Sequence, residues 1–517
     1  MIWQRWWSQW CSQVQDPSVQ RQWWAVSAAG VMTLLPLLLA VDHYIDDLER
    51  AMVGNMHWVR VGRPLADVLV EALNFGRPAT AVAPLYMLVA IGLLSAVGVA
   101  CARTYGIRSP FWTAMSSLPL MAQPYALQAM SYGFDALFMA VSLAAAIAAA
   151  LLVNLASRWS MVAAAFALQL LSFNLYQPAA NAFLVMSGCL GVASALNLFD
   201  RTKSIVPWRR PLLTSAVLYC SGYGTYRLLI ALFVEHRLNS YALSSAQFKP
   251  FDGSLPMALF SSAMEPLQQL ALDFGRMPVG FPLLLLVLSY VAVVIQWCSL
   301  RMALISFAGM LGVVLLAPGG LLLLQESFVR HPRVLLYFGP LATNLILQVL
   351  VLSARIKRPL WRLAVLPFLW LTLVFSYAYG HAFEAQARFE QSRLSRIVGA
   401  ASGLQATPSD QPRPSLIVQG TMPRSPVLGN TVRKFPLVDR LIPPLLDGNQ
   451  NFSFIQLRLH GLDLPKLRTK DWGGEMPEVC EPSEDAICTS EFSLQRVGED
   501  VLVLQLPTEL AERRPKT

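Results

Sequence analysis

Apolar runs of about 20 residues recur along this chain of 517 residues, and each is long enough to cross a bilayer core of about 30 Å. The composition agrees. Only 14% of residues are charged and 55% are hydrophobic, with a mean hydropathy of +0.47, where soluble globular chains carry about 25% charged residues. Most of the surface of such a chain must face hydrocarbon. The sequence predicts a polytopic α-helical membrane protein with about 11 transmembrane helices, near 23–41, 79–101, 111–127, 135–156, 159–175, 178–199, 212–234, 281–300, 302–325, 334–353 and 361–380. The third and fifth of these are short and polar.

The formal net charge of +9 raises nucleic acid as a partner, and the placement of the charges argues against it. Lys and Arg lie mostly in short connectors, with no basic stripe interleaved with aromatics. The positive-inside rule accounts for that placement. Basic residues concentrate on alternate connectors: Arg5 and Arg21 precede the first run, and Arg103, Arg108, Arg201, Lys203, Lys357 and Arg358 follow on the same side. The expected orientation has a cytoplasmic N-terminus and an outer C-terminus, in a bacterial inner membrane. The first run has no small-residue cleavage site after it and reads as a retained anchor. Trp3, Trp6, Trp7, Trp10, Trp23 and Trp24 crowd ahead of it, which suits an interfacial segment at 1–22.

Beyond residue 380 the character changes. A charged helical pattern runs from His381 to about Ala401, then a stretch with Pro408, Pro412, Pro414, Pro423 and Pro426. Alternating patterns at Phe452 to Leu459 and Phe492 to Leu506 predict strands, the second turning at Gly498-Glu499-Asp500. Residues 381–517 are therefore expected as a small periplasmic α/β domain following a transmembrane domain at 23–380. Cys480 and Cys488 sit together in this tail, and a disulfide suits an oxidising periplasm. Zinc is the rival, but two thiols without nearby His partners make a poor site.

Walker A, HExxH, paired CxxC and post-strand GxGxxG signatures are all missing, so neither ATP-driven transport nor zinc hydrolysis has support. What stands out is the first outer loop, 42–78. It opens with Asp42, Asp46, Asp47 and Glu49. Crowded carboxylates beside a membrane repel one another and resist desolvation, which moves a carboxylate toward general-base behaviour. The plainer reading is a solvated acidic loop. Arg50, Arg60 and Arg63 interleave with the acids and suit a phosphate, or simply ion-pair within the loop. Asp135 at the mouth of the fourth span and Arg227 inside the seventh are costly at membrane depth, so each needs a partner or a polar cavity. A structural Arg–Asp pair and a lipid-phosphate site both answer that need. Tyr176-Gln177-Pro178 reads as a helix-breaking turn or a sugar contact. His331 and Arg333 follow the ninth span, where they can meet a lipid phosphate or headgroup.

Asp46-Asp47, Arg50 and Gly62-Arg63-Pro64-Leu65 together resemble the serotype-converting O-antigen glucosyltransferases of the Gtr type. Tyr132 and Asp135 with the following Met139, Tyr176-Gln177 before an apolar span, Ala382-Gln386-Arg388, Gln419-Gly420 and Pro423 are similar to that family as well. The resemblance implies a GT-C fold, an acidic residue in the first outer loop at the active site, and polyprenyl-phosphate sugars as donors. It implies an inverting transfer of glucose from undecaprenyl-phosphate-glucose to lipid-linked O-antigen of the lipopolysaccharide. Asp46 or Asp47 would be the base. Arg50, Arg63, Tyr132, Asp135, Tyr176, Gln177, Arg227, His331 and Arg333 are the candidates for the substrate and the lipid phosphate. Adjacent aspartates do not show a metal site, so no cofactor is expected, although some GT-C enzymes use a divalent ion. A small flippase and a cytoplasmic donor-synthesising glucosyltransferase are expected partners. A GT-C transferase of mannose, arabinose or an aminosugar is the nearest rival. A lipid-linked saccharide flippase or transporter is a further one, though no internal repeat supports it.

Overall fold

The computed structural model describes residues 15–40, 43–155, 158–199, 209–245, 247–316, 319–325, 331–404, 413–448, 451–472, 477, 480–498 and 500–507. Arg5, the tryptophans at 3, 6, 7 and 10, Asp42, Arg201, Lys203, Pro408, Pro412 and Glu499 lie outside them. The chain divides into two compact units, Met1–Val41 with Met56–Ala378, and Asp42–Asn55 with Tyr379–Thr517. The loop 42–78 is thus divided between the two, with its acidic start grouped with the C-terminal residues.

The first unit is helical. Among the described residues seven helices are long and apolar enough to cross a membrane, including Pro17–Leu39, Leu85–Thr104, Ala136–Leu155 and Arg209–Phe233. Trp159–Leu175, Phe281–Trp297 and Leu300–Leu316 are shorter apolar helices. The chain is a polytopic, mostly helical membrane protein. Local chemistry sets the helix ends. Asp16 caps Pro17–Leu39 by accepting from the Ser18 N–H at 2.8 Å, with Pro17 in the first helical position. Ala136–Leu155 carries Ala and Leu almost throughout and is buried along most of its length, as expected of a helix apolar on all sides.

The third expected span needs correction. The stretch 111–127 is not one helix but three, Pro110–Ser117, Pro119–Ala122 and Pro124–Ser131, because each proline removes a backbone donor and clashes with the turn before it. From Thr113 onward this segment is almost wholly buried. The region 235–280, read as an outer loop, holds the helix Leu255–Phe274. Its Glu265, Gln268, Gln269 and Asp273 kept its hydropathy below that of a span. Asp273 is buried and accepts from the Tyr125 hydroxyl at 2.9 Å.

The helix Leu366–Leu404 has 39 residues, about 58 Å at 1.5 Å per residue, nearly twice a bilayer core. Its apolar part ends near Gly380, and the charged remainder lies beyond any membrane-spanning length.

In the second unit the strands Ser415–Gln419 (β1), Ala486–Cys488 (β2), Ser493–Val497 (β3) and Val501–Gln505 (β4) form one sheet in the order β1-β4-β3-β2. β1 runs parallel to β4, and the other pairs are antiparallel. Strand alternation sorts the core. Leu416, Val418, Leu494, Leu502 and Leu504 face Leu394, Ile397, Ala401 and Leu457, while Ile417, Val501 and Val503 pack on the opposite face. Cys480 and Cys488 are joined by a disulfide with Cα atoms 5.7 Å apart. Phe452–Leu459 is a helix rather than the expected strand. Its buried positions are Ser453, Gln456 and Leu457, a helical spacing. It closes in a Schellman motif, with Gly461 at φ +96 and the Leu462 N–H reaching the Leu457 carbonyl at 3.0 Å.

Candidate active site

The second half of the first loop is built around a single turn. Trp58–Val61 forms a 3-10 helix, and the Trp58 and Val59 N–H groups donate to Asp67 Oδ1 and Oδ2 at 3.2 and 2.7 Å. Asp67 belongs to the first turn of Pro64–Leu73, where negative charge is favoured. Burial pushes its carboxyl above the usual range, and the two backbone hydrogen bonds pull the other way. Between turn and helix, Gly62 takes a left-handed φ of +73 and Pro64 opens the helix. The Gly62 carbonyl accepts from Gln177 Nε2 at 2.7 Å and from the Tyr226 hydroxyl at 3.0 Å. This is the physical content of Gly62-Arg63-Pro64-Leu65. The glycine makes the turn, the proline starts the helix, and Arg63 is held between them.

Trp58 and Asp135 are each 1% exposed, and the indole N–H donates to Asp135 Oδ1 at 2.9 Å. The indole also meets Phe138 edge-on, with centroids 5.3 Å apart. Two guanidiniums rest on tyrosine faces. Arg63 lies 4.6 Å from the Tyr176 ring centre and Arg333 lies 4.4 Å from that of Tyr132. Such contacts are worth about 0.5–1 kcal/mol at exposed sites and more when desolvated. The Arg333 N–H donates to Gln128 Oε1 at 2.7 Å. Tyr176 is extended, breaking the chain between Trp159–Leu175 and Gln177–Ala180, so the helix-breaking reading of Tyr176-Gln177-Pro178 holds. Both Arg63 and Asp135 lie within electrostatic reach of Tyr176. Next to Trp58, a cavity of about 450 Å³ is lined by His57, Arg60, Arg77, His236 and Arg237.

The expected site residues thus come from four connectors: Arg63 and Gln177 meet at the Gly62 turn with Tyr176, Asp135 is held by Trp58 of the same loop, and Arg333 rests on Tyr132. Arg227 is placed differently. It stands 5.5 Å from the Phe248 ring centre, an aromatic partner that neither reading of it named, and Trp58 is one partner of Asp135. His331 is exposed at the head of the turn Pro332–Tyr337. Sequence reasoning missed Trp58, Asp67 and Tyr226. A buried tryptophan and a turn-capping aspartate carry no motif of their own, although Asp67 three residues after Pro64 fits a helix-start pattern.

Asp46, Asp47 and Arg50 belong to the other unit, on the helix Asp47–Val53. Asp47 is 1% exposed and lies 3.5 Å from the Arg50 guanidinium. Asp46 is half-buried at the helix start and makes no side-chain cap. Nearby, the Tyr44 hydroxyl donates to the Leu441 carbonyl at 2.6 Å, and its ring meets Phe383 edge-on. Among the described residues no group of three or more His, Cys, Asp or Glu side chains is placed to hold a metal ion.

Comparison with known proteins adds two findings. The profile of a family described as "Glucosyl transferase GtrII" matches residues 35–344, more than half of the chain. A Salmonella phage P22 protein, described as a 55.3 kDa protein in the gtrB 5′ region, is 23% identical over 454 residues, covering 83% of this chain and 88% of the phage protein. No solved structure matches the chain at a significant level.

Proposed function

Since the chain belongs to the GtrII glucosyl transferase family, we propose that it moves glucose from a polyprenyl-phosphate carrier to lipid-linked O-antigen on the periplasmic side of the bacterial inner membrane. Membership makes it a glucosyltransferase of O-antigen modification. The observation that carries the finer reading is the pair of tyrosine-backed guanidiniums, Arg63 and Arg333, at the ends of apolar helices beside buried Asp135. Positive charge at the edge of hydrocarbon suits the phosphate of a lipid carrier. The basic cavity with Arg60 and Arg237 adds to it.

An acceptor hydroxyl is a weak nucleophile until its proton is taken as it attacks. A carboxylate accepts that proton. The new C–O bond forms at the anomeric carbon opposite the leaving oxygen, so the configuration inverts. The carrier phosphate departs with the electron pair of the broken bond, and a guanidinium stabilises its charge. Asp46 is the better base of the adjacent pair. Asp47 is buried against Arg50, while the Asp46 carboxylate makes no hydrogen bond or ion pair among the described residues. A carboxylate already paired with a cation is a poorer proton acceptor.

In this reading the membrane is crossed eleven times: by the seven long helices, the three shorter ones, and the broken segment 110–131. That segment is buried in protein, as irregular backbone at membrane depth must be. An odd number of crossings places the C-terminal unit opposite a cytoplasmic N-terminus, in a GT-C arrangement, and the Cys480–Cys488 disulfide suits an oxidising compartment there. The donor then has to be made in the cytoplasm and flipped. A small flippase and a donor-synthesising glucosyltransferase are the natural partners.

The experiment supplies membranes containing the chain with lipid-linked O-antigen and either labelled polyprenyl-phosphate glucose or labelled UDP-glucose. Label should enter the O-antigen from the lipid donor alone. Transfer from UDP-glucose in membranes that make no lipid donor, or none from the lipid donor, would contradict the reading.

A further inference from the structure

The second unit contains a cavity of about 210 Å³, about seven water molecules' share of liquid volume and on the scale of one hexose ring. Its walls combine apolar surface from Tyr44, Leu48 and Phe383 with the planar polar groups of Gln386, Gln391 and Gln456. Neither Lys nor Arg lines it. Its single carboxylate, Glu390, is 2% exposed and fully engaged. Oε1 accepts from Gln386 Nε2 at 2.8 Å and from the Leu445 N–H at 3.4 Å, and Oε2 accepts from Gln456 Nε2 at 3.1 Å. His43 and His460 are its only basic side chains, so a neutral occupant is favoured over an anion or a cation.

It does hold an unused polar atom. Gln456 is 6% exposed, and its Oε1 is buried without a hydrogen-bond partner. A buried acceptor left unmade costs about 1–3 kcal/mol, and a hydroxyl donor entering the cavity removes that cost. Apolar walls with a few convergent polar groups are the usual make-up of a small-molecule site. The occupant that fits is neutral, hydroxyl-bearing and flat-sided. The wall residues Tyr44, Ile45 and Leu48 also flank Asp46 and Asp47 within the same unit.

We propose that this cavity is a subsite for a neutral hexose of the acceptor saccharide, seated beside the Asp46–Asp47 segment. This rests on the reading of the chain as a glucosyltransferase and extends it to the C-terminal unit. Gln456 Oε1 accepts from a sugar hydroxyl, and Glu390 orients the Gln386 and Gln456 carboxamides without touching the sugar. Gln391 and His460 form the rim.

The test is steady-state transfer by the full-length chain in detergent, varying the acceptor and the donor separately. Gln456→Met keeps the side-chain size and removes the acceptor atom. Gln391→Ala, at an exposed position, changes the rim with no burden on folding. Both should raise KM for lipid-linked O-antigen about tenfold, leaving kcat and the donor KM within about twofold. An unchanged acceptor KM in both variants overturns the proposal even if glucosyl transfer itself is confirmed, and so does a rise confined to the donor KM, which would make the cavity a donor site. If the wild-type chain transfers no glucose, the function fails first. Equilibrium dialysis with a labelled oligosaccharide of one O-antigen repeat then decides: binding by wild type and loss in Gln456→Met supports the subsite, and no binding, meaning a cavity filled by water alone, rejects it.

Discussion

The indole N–H of Trp58 donates to the carboxylate of Asp135 at 2.9 Å, tying the loop 42–78 to a residue 77 positions later at the head of an apolar helix. Both side chains are buried, so neither can turn to water if the other is lost. Trp58→Phe keeps the ring against Phe138 but removes the donor, and should cost about 1–3 kcal/mol along with most of the transfer activity. Asp135→Asn still offers an oxygen to the indole and should stay folded. Thermal unfolding of the detergent-solubilised variants reads the first effect. A Trp58→Phe variant with wild-type melting and turnover would show that the bond positions nothing.

Gly62 sits where only glycine is at ease. Its φ is +73, and a Cβ there would lie 2.9 Å from the Tyr226 hydroxyl and 3.2 Å from Gln177 Nε2. Gly62→Ala should cost about 1–2 kcal/mol for the left-handed conformation alone. It should also displace both side chains that hold the Gly62 carbonyl, with turnover falling further than in Gln177→Ala. Equal activity in wild type and Gly62→Ala would remove the turn from the account.

Much of this architecture is legible in the sequence because hydrocarbon enforces it. Long apolar runs must become helices, and a glycine before Arg-Pro marks a turn into a helix. The broken segment 110–131 was misread because hydropathy does not register the prolines at 110, 119 and 124. The helix Phe452–Leu459 looked like a strand because Phe452, Phe454, Leu457 and Leu459 satisfy two periods at once, and the glycine two residues on was the better signal. In the site, Asp135 stood out as a charge at membrane depth, Arg63 as a cation among the loop acids, and Arg333 as one just past an apolar run. Trp58 and Tyr226 did not, since an aromatic residue in such a chain is ordinary until its partner is seen.

Glu390 gives a pH signature. Burial pushes its carboxyl above the usual glutamate range, against hydrogen bonds from Gln386, Gln456 and Leu445. A raised folded-state value means the folded form holds the proton more tightly. The associated stability is complete below the unfolded value of about 4.3 and is lost as pH rises through the folded value. Glu390→Gln carries no such charge, and the Gln456 carboxamide can turn to present its free oxygen. The stability difference should therefore move in favour of the variant as pH rises from about 4 toward neutral. Hydrogen exchange of the Phe452–Leu459 amides in the full-length chain measures it, and a difference that does not vary with pH would refute the assignment.

The Cys480–Cys488 disulfide links β2 to the loop ahead of it. In cells it should be intact without added oxidant and should form only in chains whose C-terminal unit has left the cytoplasm. Mass spectrometry of the unreduced protein should find the two peptides joined. Free thiols at both positions in protein taken from the membrane would argue against a periplasmic C-terminal unit.

If a carboxylate of the loop 42–78 takes the acceptor proton, removing it should stop turnover. The most direct measurement compares Asp46→Asn and Asp47→Asn with wild type in transfer of glucose from polyprenyl-phosphate glucose to lipid-linked O-antigen, at equal amounts of inserted protein. Asn keeps the shape and cannot accept the proton, so Asp46→Asn should lose about 10²–10⁴-fold in turnover with KM little changed. Asp47→Asn, which loosens Arg50, should lose less turnover and more stability. Wild-type turnover in Asp46→Asn would contradict the account and move the search for a base to Asp135.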